Sequence, residues 1–197
     1  MIHSRIIKRN TLILFLCSLF ISANAAYIFI PMDENQSNHL KAYGIAYYAI
    51  EKEIKVDWLL NYQGGSFMMK QQSDIENECK IRDVSFQIIA DIQSTKILQS
   101  ITSPAVNQDI VRLEKAPKIA IYSPKSKQPW DDAVTMALTY AEIPYEVIYD
   151  NEVLNNLLPI YDWLHLHHED FTGQYGKFYR NYHTASWYIE QKRQFES

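Results

Sequence analysis

Short apolar runs alternate with stretches whose apolar residues recur at helical spacing, and this alternation constrains the fold more than any other feature. Runs at 27–32, 56–61, 84–90, 118–122, 145–149 and 161–166 read as strands. Between them, Leu40, Tyr43, Tyr47 and Ile50 form one helical stripe, with Asp33 as its N-cap and Gln36 completing a capping box. A helix over Ser73 to Arg82 follows. The next is capped by Asp91, buries Ile92, Ile97, Leu98 and Ile101, and stops at Ser103-Pro104. A fourth has Pro129 in its first turn, Asp131 and Asp132 at its positive end and Val134, Leu138 and Ala141 as its stripe. A short helix over Asn151 to Leu158 precedes the last strand. Strand–helix–strand repetition predicts an α/β fold, a mostly parallel sheet with helices on both faces.

The organisation expected from this pattern is a first α/β unit at 26–104, an irregular linker at 105–117 and a second α/β unit at 118–197. The helix that Ser186 opens, with Ile189 and Phe195 inward, has no C-cap before Ser197, so the second unit is expected to be incomplete. Residues 28–56 and 119–147 echo each other, with Ile28/Ile119, Ala42/Ala133 and Val56/Val147 aligned. Two βαβ units of equal length produce such an echo without any duplication.

Residues 1–25 read as a signal peptide rather than as part of the fold. Arg5, Lys8 and Arg9 form a basic start, Leu12 to Ile21 an apolar run, and Ala23-Asn24-Ala25 a small-residue cleavage site. The run is too short for a stable membrane span. The chain is therefore expected to be exported, periplasmic or extracellular, after cleavage near Ala25. Cleavage removes three of the 19 basic residues and none of the 23 acidic ones, taking the net charge from −4 to −7. That balance argues against nucleic acid as a partner, because binding a phosphate backbone requires a basic face. Beyond the signal, Cys79 is the sole cysteine, which excludes an internal disulfide. Its spacing from Ile75 marks a small core residue of a helix, and Glu76 and Glu78 would discourage a thiolate.

The stretch from Tyr161 to Asp170 carries the densest chemistry. It reads as a buried strand on which Trp163, His165 and His167 share one face and Leu164, Leu166 and His168 the other. In parallel sheets the ligand crevice lies beyond the carboxyl ends of the strands. His165, His167, His168 and Glu169 are thus candidate ligands for a divalent metal, or a general base with its orienting carboxylate. Asp170 and the Gly64-Gly65-Ser66 turn are candidate crevice-lining residues, the turn through its backbone N–H groups. No glycine-rich phosphate loop is present, so no nucleotide and no other cofactor is implied. Tyr175, Phe178, Tyr179 and Tyr182 form an aromatic helical stripe suited to docking a protein partner, or the missing C-terminal half.

The phrases Pro31-Met32-Asp33-Glu34-Asn35-Gln36, Asp57-Trp58-Leu59-Leu60-Asn61-Tyr62, Lys115-Ala116-Pro117-Lys118 and Tyr161 through Tyr179 resemble an exported bacterial family commonly labelled asparagine synthetase B. The resemblance implies a flavodoxin-like α/β fold of the class I glutamine amidotransferase-like group, and a longer chain bearing the cysteine nucleophile further on. These residues contain no G-x-C-x-G elbow, no N-terminal cysteine and no S-G-G-x-D-S loop for ATP. The expectation is a catalytically incomplete amidotransferase-like portion. A ligand- or metal-binding module and a structural part of a surface assembly are the other readings.

Overall fold

A computed structural model describes residues 26–103, 105–123, 132–166 and 174–196. The described residues form two compact units, one within Met1–Ala116 and Tyr140–Ile143, the other within Pro117–Thr139 and Pro144–Ser197.

The first unit runs β1 (Ala26–Ile30), α1 (His39–Glu51), β2 (Val56–Leu60), β3 (Ser66–Lys70), α2 (Ser73–Ile81), β4 (Gln87–Ala90), α3 (Asp91–Ile101) and β5 (Asp109–Leu113). Its sheet has the order β4-β1-β3-β2-β5, and every pairing is antiparallel. The first four strands and two helices make the split βαβ arrangement of ferredoxin-like folds. This corrects the expected parallel sheet. The cause is local: Asn61, Gln63, Gly64 and Gly65 all take positive φ and turn the chain back on itself. Ser66–Lys70 then returns beside β2, pairing Trp58 with Phe67 and Val56 with Met69. Residues 109–113, expected to be an irregular linker, form β5 and extend the sheet beyond β2.

Helices do cover both faces. On one side α1 and α2 pack Ala42, Ile45, Ala46, Ala49, Ile75 and Cys79 against Ile28, Ile30, Val56, Phe67 and Met69. On the other, Ile97, Leu98 and Ile101 of α3 meet Phe29, Leu59 and Met68. The stripe that α1 buries differs from the expected one, since Leu40 and Tyr43 are exposed. Small side chains let the helix approach the sheet closely, and Tyr43 is left to meet the Phe67 ring edge-on at 5.3 Å. Ile92 on α3 is likewise exposed, and Ser94 takes the buried place.

Asn38, not Asp33, caps α1, accepting from the Lys41 N–H. Asp33 closes the preceding turn by accepting from the Asn35 N–H at 3.0 Å. Gln36 is buried, and its amide is fully used. Its nitrogen donates to the Pro31 and Ser85 carbonyls, at 2.8 and 3.1 Å, while its oxygen accepts from the N–H groups of Ser85 and Asn38. One side chain thereby ties the end of β1 to the approach to β4.

The second unit contains β6 (Ile119–Tyr122), all but the last two residues of α4 (Ala133–Ala141), β7 (Glu146–Ile148), α5 (Asp150–Leu154), a 3-10 turn at Leu158–Ile160, β8 (Trp163–Leu166), α6 (Gln174–Tyr182) and α7 (Ser186–Glu196). Here the sheet is parallel, in the order β7-β6-β8. Ile119, Ala120 and Ile121 make β6 its buried centre. The sequence echo thus joins unlike structures. β1 and β2 are separated by β3, whereas β6 and β7 pair directly. On α6 and α7, Tyr179 packs near Trp187 and Tyr188, with Tyr182 and Trp187 partly exposed. Ile189, expected to face inward, is exposed; Tyr175, Phe178 and Phe195 lie outside the described side chains. No helix among the described residues is long and apolar enough to cross a membrane.

Candidate functional site

The parallel sheet of the second unit fixes where a ligand could sit. The chain leaves β6 through α4 to reach β7 on one flank, then passes α5 and enters β8 on the opposite flank of β6. Strand order therefore reverses at the β6–β8 boundary, the position where open α/β sheets place their ligand crevice.

Two side chains meet across that boundary. Asp132 precedes α4, and its carboxylate caps the helix by accepting from the N–H groups of Val134 and Thr135, at 3.2 and 3.4 Å. Thr135 returns its hydroxyl to the Asp132 carbonyl at 2.9 Å. From β8, His165 places Nε2 2.8 Å from Asp132 Oδ2. The carboxylate is nearly buried, and about a fifth of the His165 side chain is exposed, at 21%. Burial pushes the Asp132 carboxyl upward, but the Val134 N–H, the neighbouring imidazole and the Thr135 N–H outweigh it, so the group is held below its ordinary value. An ionised Asp132 accepts from Nε2–H and leaves Nδ1 as the ring's proton acceptor. Among the described residues Nδ1 makes no hydrogen bond.

His165 shares its strand face with Trp163, as expected, and their rings lie 6.4 Å apart. The strand is not the buried one expected: β8 is an edge strand among the described ones, and Trp163 and Leu164 are exposed. His167, His168, Glu169 and Asp170 lie outside the described residues. Among the described residues, no group of three or more His, Cys, Asp or Glu side chains converges in a way that could hold a metal. Asp132 is the partner of His165 that sequence alone does not reveal, because its place at a helix start already accounts for it. The signal available for it was a carboxylate at the first helix after a strand neighbouring that of His165.

Gly64, Gly65 and Ser66 belong to the first unit, where their contacts account for the β2–β3 turn. A Cβ on Gly64 would stand 2.1 Å from the Met32 carbonyl oxygen. The Gly65 carbonyl accepts from Trp58 Nε1 at 3.0 Å, and the Ser66 hydroxyl donates to the Tyr62 carbonyl at 2.9 Å. Cys79 is fully buried, and desolvation pushes its thiol up to about 12, so it is a core residue and no nucleophile at neutral pH.

Comparisons with protein-family models, with curated proteins and with solved structures each return no match.

Proposed function

We propose that the second unit binds a small polar ligand at the β6–β8 crevice, with His165 as its proton-exchanging group and Asp132 as the residue that orients the ring. The observation that carries this reading is the 2.8 Å hydrogen bond from His165 to a buried, helix-capping carboxylate at the reversal of strand order. With Nε2 fixed, Nδ1 can take a proton from a ligand or return one, and Asp132 offsets the positive charge that develops. The same nitrogen could serve as one ligand of a divalent cation.

Long-range proton–nitrogen NMR spectra of the histidine rings test it. His165 should show the Nε2–H tautomer in the wild type and a mixture in Asp132→Ala. If the two spectra show the same tautomer mixture, the orienting role is lost and the reading with it. Zinc and small carboxylic and amide ligands, added in turn, should shift the His165 resonances if the crevice is occupied.

The second reading is that the chain is a portion of an exported amidotransferase-like protein. Its supports are the motif phrases, the signal-like N-terminus and the parallel β7-β6-β8 order, the order in which flavodoxin-like sheets begin. Glutamine should then be among the ligands that shift His165. Silence towards glutamine with a response to other ligands would remove this reading and leave the first. N-terminal sequencing of the mature protein, expected to begin near Ala26, tests export.

A further inference from the structure

The first unit carries a separate cleft of about 560 Å³, a volume suited to a small molecule. Its charged lining consists of Lys52, Lys55, Lys70 and Arg112 against Glu53 and Asp57, with Tyr27 among the remaining residues. Strand register explains the gathering. Tyr27 lies opposite Lys70, and Asp57 lies between Met68 and Arg112. Strand alternation puts Tyr27, Lys70, Asp57 and Arg112 on the face that carries Phe29, Leu59 and Met68. The α3 helix packs over those three apolar residues and leaves the polar end of the face open.

The charges in the cleft are not equivalent. Asp57 is nearly buried and is clasped by Arg112, with Nε–Oδ1 at 2.8 Å and Nη2–Oδ2 at 3.3 Å. Lys52 lies over the Tyr48 ring, 4.9 Å from its centroid, and reaches Asp74 at 3.7 Å, while Lys55 reaches Glu114 at 3.0 Å; both ion pairs are largely exposed. Such exposed pairs contribute little and exchange readily for a ligand. Lys70 is held in the sheet through its backbone, and its side chain has neither an ion pair nor a hydrogen bond among the described residues. The cleft therefore presents one ammonium without a side-chain partner and two in exposed pairs, with Asp57 neutralised by Arg112 and Glu53 as the remaining carboxylate of the lining.

We propose that this cleft is a binding site for a small organic anion bearing carboxylate or phosphate groups, with Lys70 as its principal contact and Lys52 and Lys55 closing on it. Citrate and pyrophosphate, titrated separately into the full chain by calorimetry, represent the two sources of negative charge. At least one should bind saturably, more weakly as salt is raised. Lys70→Gln should weaken that binding about tenfold, the loss of one charge-assisted contact. Lys96→Gln, the same charge change on α3, should leave it unaltered. Binding of one probe alone identifies the anion class. Absence of binding by both at millimolar concentration overturns the proposal, as does an equal loss in Lys70→Gln and Lys96→Gln, which would mean diffuse charge attraction. Lys70→Gln is preferred to Arg112→Gln because removing the guanidinium strands the buried Asp57 and endangers folding.

Discussion

Asp132 holds the His165 ring through one carboxylate oxygen while the same carboxylate closes the first turn of α4. A single side chain thus serves helix stability and the candidate site together. Asp132→Ala is expected to lower the stability of the second unit by at least the loss of an N-cap, about 1 kcal/mol. Asp132→Asn, which keeps one accepting oxygen, is expected to lose less. Denaturant unfolding of both variants checks the order.

The same carboxylate sets a pH dependence. Its folded value lies below the ordinary 3.8, so its contribution is complete above that value and disappears as pH falls through the lower folded one. The stability gap between wild type and Asp132→Ala is therefore expected to narrow as pH falls below about 4, within the carboxylate range. A gap that widens on acidification would contradict the assignment.

Cys79 gives a second titration. With its thiol pushed up to about 12 and fully buried, it is expected to resist thiol reagents at neutral pH until the first unit unfolds. Reaction with a chromogenic disulfide in native buffer and in denaturant measures the contrast. Fast labelling of the native chain would mean that the α2 face opens readily.

Gly64 has φ +80 and lies against the Met32 backbone. Gly64→Ala meets both a disfavoured conformation and a carbonyl oxygen, so a loss of about 2 kcal/mol or more is expected. Thermal unfolding of the variant tests this, and an unchanged midpoint would show that the turn can shift as a body.

Gln36→Ala removes the amide that satisfies the Pro31 carbonyl and both backbone groups of Ser85. Leaving these groups without partners is expected to cost roughly 2–4 kcal/mol. Hydrogen exchange at the Ser85 amide reports the effect directly, since that N–H loses its acceptor.

What the sequence made legible, and what it hid, follows from what each residue signals locally. Cys79, β6 and the close backbone approach at Gly64-Gly65 were readable because burial and turn chemistry leave short-range marks. β3 was not, since Phe67, Met68 and Met69 are all buried and form no alternation. Without a visible β3 the β2–β3 hairpin leaves no mark, and the antiparallel sheet carries the same sequence pattern as successive βαβ units. β5 was hidden for the opposite reason: as an edge strand with mixed exposure it resembles a polar loop. At the candidate site, His165 announced itself within a cluster. Its partner lies 33 positions earlier, where a carboxylate at a helix start has a sufficient local explanation.

The pairing of β5 with β2 bears on how the protein is made. Arg112 meets Asp57 from 55 residues further along the chain. During synthesis β2 emerges well before its outer neighbour, and its edge, with Asp57 still uncompensated, stays open until residues 109–113 leave the ribosome. Pairings between segments so far apart are the slow ones in folding, because the intervening chain must be ordered before they form. The first unit is therefore expected to acquire its last strand late, and a nascent chain stalled before Leu113 would present an unpaired β2 edge to whatever strand is nearby.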